Sequence, residues 1–374
     1  MCGIIAVLRR PNRRTPPSVE ALRTLLAEAE TALADGKDRQ HLAAAATSLT
    51  LLDRELKGTA GLWALLQAPA VAAELAARAQ ALQNAVTAFE RSLDANAVGD
   101  DADPALEQRN QALVQLKDAL WAVLRDRLPH ATAVRELANG DVPHQAAAAA
   151  FASLQTALSA LDRLEVRGRD SAGISLLVHG VDPEAPALRA LRAGRDGDPL
   201  FQDGSVRVAD GCLNFVYKHA AEIGELGDNV KALRAAAQAD RLLQAALRVP
   251  TAQALVLGHT RWASVGIISE PNAHPLNHEE TNGEAGPYVI GALNGDVDNH
   301  HELIRRHGLA IADPITTDAK VIPTLVSREL RSGQPLAEAF RRTVATFEGS
   351  VAIAAASSRE PTRLQLALRG SGQA

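Results

Sequence analysis

At 374 residues, 47% of them hydrophobic, the chain is long enough for two folded units and carries enough apolar material to pack them. Its net charge of −5 argues against a nucleic-acid-binding surface, and charges interrupt every apolar run before it reaches membrane-spanning length. Cysteine is confined to Cys2 and Cys212, which speaks against a disulfide framework and for a reducing, cytoplasmic setting.

The run Cys2 to Leu8 is almost wholly apolar, as expected of a strand buried on both faces, and the basic cluster follows it, the reverse of a secretory leader. After the loop PNRRTPPS the texture becomes helical. Ser18 caps a helix that stops at Gly36, and a second pattern runs from Gln40 to Leu56. A third covers Ala60 to Leu93 with a break at Pro69, and a fourth starts at Asp103-Pro104 and runs to Leu128. A helix from Ala147 to Leu164 leads through VRGRDS into the strand AGISLLV. Residues from Ala187 to Tyr217 read as short β pieces, and 219–247 as helical. Strand patterns recur at ALVLGHTRW and PYVIGALNG. Helices are expected over Asn299–His307, Asp318–Arg331 and Leu336–Thr346, and strands over Val351–Ala356 and Arg363–Leu368. Strands thus concentrate at the start and in the last two hundred residues, so the helical block interrupts one domain of mixed α and β structure.

Removal of Met1 would leave Cys2 with a thiol and a free α-amine on one residue. An α-amine has a pKa of roughly 7.7–8.0, so it can act as a general base toward its own side chain. On that pattern alone a cysteine at position two is usually incidental. Neither a metal nor a cofactor is expected. The eleven histidines show no zinc spacing, GRDGDPLFQDG lacks the periodicity of a calcium loop, and no phosphate-cradling glycine motif occurs.

The segments MCGIIAV, LEVRGRDSAGIS, GHTRWASVG, NAHP, ALNGDVDNH and TTDAKVI stand in this order along the chain. Together they resemble the class II glutamine amidotransferase domain, most closely that of glucosamine-6-phosphate synthase. The resemblance covers residues 1–12 and 151–374, and 13–150 form a helical insertion with no counterpart. It implies an α+β fold, the four-layer αββα sandwich of N-terminal nucleophile hydrolases, with further strands beyond the present end of the chain. It also implies hydrolysis of glutamine by Cys2, with oxyanion donors at Asn294 and Gly295. Arg261 would grip the substrate carboxylate and Asp318 its α-ammonium, with Trp262 and Ser264 lining the pocket. Arg167 and Gly168 correspond to a loop near the nucleophile, and His274 to a supporting position.

Other roles stay open for these residues. Asn294-Gly295 is an ordinary turn signal, Arg261 a candidate surface ion-pair residue, Trp262 a candidate core residue, and Asp318 a candidate helix N-cap. Ser264 and Val265 depart from the threonine and histidine common in the family. The implied partners are glutamine and a sugar-isomerase domain or subunit that binds fructose 6-phosphate and receives the ammonia; neither nucleic acid nor membrane is expected. The amidophosphoribosyltransferase and asparagine synthetase branches are the nearest alternatives. A third is a non-catalytic module whose amphipathic insertion pairs with a partner or with another copy of the chain as a homo-oligomer.

Overall fold

The computed structural model describes residues 2–11, 13–95, 104–195, 198–220, 225–283 and 286–370. The chain divides into two compact units, Met1–Arg10 with Ala149–Ala374, and Pro11–Ala148. Met1 and the expected cap Asp103 lie outside the described residues.

Among the described residues of the 11–148 unit, the regular elements are all helices. In α1 (Val19–Asp35) the Ser18 hydroxyl accepts the Ala21 N–H, and Leu22, Leu26, Ala29 and Leu33 form its buried stripe. Asp38 caps α2 (Arg39–Leu56) by accepting the Gln40 and His41 N–H groups. The chain then bends by 104° between α3 (Gly58–Gln67) and α4 (Pro69–Ala95), because proline starts a helix well but cannot continue one. After α5 (Pro104–Trp121) a π-helical turn over Ala122–Arg127 leads into α6 (Leu128–Leu137), which carries helix past the end expected at Leu128. Bidentate pairs tie α1 to α4: Arg23 to Glu74, and Arg78 to Glu30. Among the described residues no single helix is long and apolar enough to cross a membrane; α3 and α4 pass that test only as a bent pair.

The other unit is built on two antiparallel sheets. The first has the order β1-β5-β2-β4-β3, from β1 (Gly3–Leu8), β2 (Ser171–His179), β3 (Val206–Ala209), β4 (Cys212–Ala220) and β5 (Gln253–Arg261). The second has the order β6-β7-β8-β9, from β6 (Leu276–Asn277), β7 (Val289–Gly295), β8 (Val351–Ser357) and β9 (Gln365–Arg369). Their facing side chains, Leu177, Val216, Leu255 and Leu257 from one sheet and Ile290, Ala292, Ala354 and Ala356 from the other, share one buried core.

Helices cover the outer faces. Helix α7 (Gln145–Leu164) lies so close to β1 and β5 that a Cβ on Gly3 would meet Leu164 at 2.9 Å and one on Gly258 would meet Leu161 at 3.0 Å. Glu165 follows α7 and is fully buried. Its carboxylate accepts the N–H groups of Gly227 and Val230 at the start of α9 (Asp228–Ala239). A stretch expected to be β instead contains α8 (Pro186–Arg192), with proline in its first turn, and β4 runs on into the segment expected to be helical. The short α10 (Arg241–Ala246) follows α9, and α11 (His300–His307) follows β7. Helices α12 (Val321–Arg331) and α13 (Leu336–Ala345) pack Val321, Ile322, Leu325, Leu336 and Phe340 against Val289, Leu293 and Ile353 of the second sheet. Replacing a buried leucine of such a core by alanine costs about 2–5 kcal/mol.

Candidate active site

The register of the first sheet decides what surrounds Cys2. Gly3 pairs with Thr260 and Ser171 with Arg261, so Cys2 stands level with Arg261 at one end of the sheet. There the Trp262 N–H donates to Cys2 Sγ at 3.3 Å, and the thiol faces the Trp262 carbonyl at 3.5 Å. No side-chain base hydrogen-bonds the sulfur among the described residues. Burial pushes the thiol pKa up. The Trp262 amide and the Arg261 charge pull it back, and Asp296 adds to the rise.

The backbone beside the thiol is fixed from the loop after α7. A Cβ on Gly168 would come within 2.8 Å of the Arg261 carbonyl carbon and 2.9 Å of the Trp262 nitrogen, so only glycine lets the two segments cross. Asp170 completes the join: its N–H donates to the Arg261 carbonyl at 3.1 Å and its carboxylate accepts the Ala263 N–H at 2.8 Å. Arg167 is exposed and makes no hydrogen bond among the described residues.

Arg261 is 2% exposed, which rules out a surface ion pair. Its guanidinium donates to the carbonyls of Ile267 at 3.0 Å, Gly266 at 3.3 Å and Val265, closing the loop that follows Trp262. Burial lowers its pKa, with Cys2, Asp318 and Asp170 acting against that, and an arginine stays charged regardless. Trp262 is 56% exposed and is not a core residue. Ser264 donates to Asp296 Oδ1 at 2.7 Å.

From the second sheet, β7 ends in Asn294 and Gly295, which pair with Ala352 and Val351 of β8. Gly295 has φ +116°, and a Cβ there would lie 1.9 Å from the Ser350 carbonyl oxygen. The Asn294 side chain is half-buried and makes no hydrogen bond among the described residues. One residue earlier, two histidines hold the Leu293 backbone, His259 from the first sheet and His274 from the segment that leads into β6. His259 donates from Nε2 to the Leu293 carbonyl at 2.7 Å, and His274 accepts the Leu293 N–H at Nδ1 across 3.4 Å. That leaves His274 Nε2–H to donate to Thr317 Oγ1 at 3.2 Å, and Thr317 in turn reaches Asp318 Oδ1 at 3.4 Å. Asp318 Oδ2 accepts the Val297 N–H at 2.7 Å. Asp318 is therefore not the N-cap of its helix. Thr317 holds that position, and the Asp318 carboxylate turns back toward the Asn294 loop. Burial raises the Asp318 pKa against the Val297 hydrogen bond, and the Asp296 charge adds to the rise.

The two histidines also set an acid limit. Burial depresses His259 to about 3 and His274 well below its ordinary range, while an unfolded imidazole titrates near 6.5. The unfolded chain then binds more protons below pH 6.5, so the contribution is intact above that value and lost as pH falls toward 3. Each such site contributes a slope of about 1.4 kcal/mol per pH unit inside that window. In His259→Gln, which keeps a donor toward Leu293, the fall in melting temperature between about pH 6 and 4 is expected to be shallower than in the wild type. Parallel curves would show that His259 is not held neutral.

The sequence pattern brought together Cys2, Gly168, Arg261, Trp262, Ser264, His274, Asn294, Gly295 and Asp318, and missed Asp170, His259, Asp296 and Thr317. The last four stand inside or beside the quoted motifs, and their partners are set by tertiary contacts alone. Among the described residues no group of three or more His, Cys, Asp and Glu side chains is placed to hold a metal ion.

No protein-family profile matches the chain. Curated relatives do. The glutamine–fructose-6-phosphate aminotransferase [isomerizing] of Acidithiobacillus ferridurans is 32% identical over 216 residues, 57% of this chain and 26% of the relative. That of Vibrio parahaemolyticus is 28% identical over 214 residues, 56% of this chain and 26% of the relative. The chain resembles a class II glutamine amidotransferase domain. It spans about a quarter of the length of these curated relatives. A solved glutamine phosphoribosylpyrophosphate amidotransferase from B. subtilis overlaps 50% of this chain and 35% of its own, at 16% identity and a TM-score of 0.27.

Proposed function

We propose that the chain hydrolyses the side-chain amide of glutamine to glutamate and ammonia, with Cys2 as an N-terminal nucleophile. The setting of the thiol carries this reading. Sγ is half-buried, meets only the Trp262 backbone, and has its pKa pushed up by burial. A thiol so placed needs a base to become a nucleophile, and the nearest one its own residue can supply is the α-amine freed by loss of Met1. The amine takes the thiol proton as sulfur attacks the amide carbon. The oxyanion that forms is met by the Asn294 side-chain amide and the Gly295 N–H. Collapse of the tetrahedral adduct breaks the C–N bond, the amine's proton passes to the leaving nitrogen, and ammonia departs. Water then cleaves the γ-glutamyl thioester and restores the thiol.

Recognition of the amino-acid end falls to Arg261 and Asp318, with Trp262, Ser264, Gly168, Arg167 and His274 around them. Three of the five guanidinium N–H donors are engaged with the loop carbonyls, so two remain for a carboxylate unless the loop yields. The fold reading is the four-layer αββα sandwich of N-terminal nucleophile hydrolases, with the helical unit as an insertion after β1. The acceptor reading follows the printed name of the relatives. Ammonia passes to a sugar-isomerase domain or subunit that converts fructose 6-phosphate to glucosamine 6-phosphate.

The test is glutamate release from L-glutamine by untagged protein whose intact mass shows loss of Met1, beside Cys2→Ala. Activity is expected in the processed wild type and a loss of more than about a thousandfold in the mutant. Equal activity in both would remove Cys2 from the mechanism.

A further inference from the structure

The helical unit holds a cavity that the amidotransferase resemblance does not reach. Its origin lies in the lengths of two helices. Bidentate pairs set α1 and α4 side by side, Arg23 against Glu74 and Glu30 against Arg78, so the two run in the same direction. The buried stripe of α1 ends at Leu33, because the helix stops at Asp35 and Gly36 brings no side chain. The stripe of α4, Leu75, Ala79 and Leu82, goes on through Val86 to the half-buried Phe89. Helix α4 thus carries an apolar face one turn beyond the point where α1 can cover it.

The result is a cavity of about 210 Å³ between α1, α2 and α4. Leu33, Leu42, Leu82 and Val86 form its buried floor, and Ala85, Phe89 and Lys37 its open rim. Packed interiors leave few voids larger than a water molecule, and an apolar cavity of about 150 Å³ takes benzene. By that measure this one takes an apolar body of about eight carbon atoms. Lys37 fixes the polar end. Its ammonium stands over the Phe89 ring, 5.5 Å from the centroid, so it is held at the mouth. The other charged lining residue, Glu30, gives both oxygens to Arg78, and Lys37 forms no ion pair among the described residues. Asp38 beside it accepts the Gln40 and His41 N–H groups, and Asp35 does not line the cavity. An unpaired cation above an apolar floor suits an anion on an apolar tail.

We propose that the helical unit binds a small amphiphilic monocarboxylate here, with its apolar body in the cavity and its carboxylate on Lys37. The site goes beyond the glutaminase reading and does not depend on it, since every residue involved lies on α1, on α4, or on the turn and first helical residues that follow α1.

The experiment is calorimetry and thermal melting of the full chain with octanoate as the probe, beside 1-octanol and acetate. Octanoate is expected to bind with a Kd below about 1 mM and to raise the melting temperature, whereas acetate does neither. Octanol, which has the tail without the charge, binds more weakly than octanoate. Lys37→Met weakens octanoate about two- to fivefold, as expected for an exposed charge pair, and leaves octanol unchanged. Lys37→Glu weakens octanoate further, because it sets a like charge at the mouth. Ala85 is exposed, so Ala85→Trp is accommodated by the fold while its ring fills the cavity, and octanoate affinity falls about tenfold or more. Circular dichroism confirms that each variant folds. No binding of octanoate by the folded wild type overturns the proposal. Undiminished binding in Ala85→Trp also overturns it, because octanoate would then sit elsewhere. Equal binding of octanoate and octanol, or octanoate binding unchanged in both Lys37 variants, overturns it by removing the carboxylate from Lys37.

Discussion

A chain that keeps any residue ahead of Cys2 is expected to release no measurable glutamate, although it folds and still presents the thiol. The reason lies in what surrounds Sγ. Its hydrogen-bond partners are the Trp262 N–H and carbonyl, neither of which can take a proton at neutral pH. Neither His259 nor His274 hydrogen-bonds the sulfur. His259 donates from Nε2 to Leu293 and leaves Nδ1 buried without a hydrogen-bond partner, and His274 is engaged at both nitrogens, by Leu293 and Thr317. Burial holds the thiol protonated to higher pH than usual, which makes dependence on a base stronger. An α-amine with a pKa of roughly 7.7–8.0 is such a base, and an amide nitrogen is not. General-base assistance contributes about 10²–10⁴ in rate, so a blocked N-terminus should lose at least that much. The measurement is glutamate release by a chain with a cleavable N-terminal extension, before and after cleavage exposes Cys2. Full turnover before cleavage would mean that another group deprotonates the thiol.

How much of this was legible beforehand depended on whether the cause was local. Ser18 and Pro69 announce helix boundaries because a cap or a missing N–H acts within one turn, and both stand where the sequence placed them. The strands at Gln253–Arg261 and Val289–Gly295 were visible because each is largely buried on both faces and rich in apolar residues. Gly3–Leu8, expected to be buried on both faces, instead lies at the edge of its sheet, with Ile4 to Val7 half-buried and Leu8 exposed. Helix α8 was not visible, since a seven-residue helix has too few turns to show a period against neighbouring strands. Asp318 shows the limit more sharply. An acidic residue before AKVIPTLV has the chemistry of a cap, yet its carboxylate goes to Val297, 21 positions away, and the cap falls to Thr317. Asp170 and Asp296 sit inside the quoted motifs, but their partners, Ala263 and Ser264, are 93 and 32 positions distant. Composition supplies a carboxylate; only the packed sheets decide whose N–H or hydroxyl it accepts.

Asn294→Ala is expected to lower kcat for glutamine by about 10²–10³ while KM and melting temperature barely move. The asymmetry comes from what the side chain does without substrate. The Asn294 side chain makes no hydrogen bond among the described residues, so truncating it breaks none and leaves the backbone ladder with Ala352 intact. An amide N–H that meets only the developing oxyanion contributes in the transition state and not in the ground state, which places its loss in kcat. Asn294→Asp should be worse than alanine, because a carboxylate set where negative charge develops opposes it. Gly295 cannot be probed the same way. At φ +116° a Cβ would sit 1.9 Å from the Ser350 carbonyl oxygen, so Gly295→Ala shifts the β7–β8 pairing itself and shows up first as lost stability. The two variants thus separate a side-chain donor from a backbone one. If Asn294→Ala changed KM alone, or kcat by less than tenfold, Asn294 would be a substrate-binding residue and the oxyanion would rest on the Gly295 N–H.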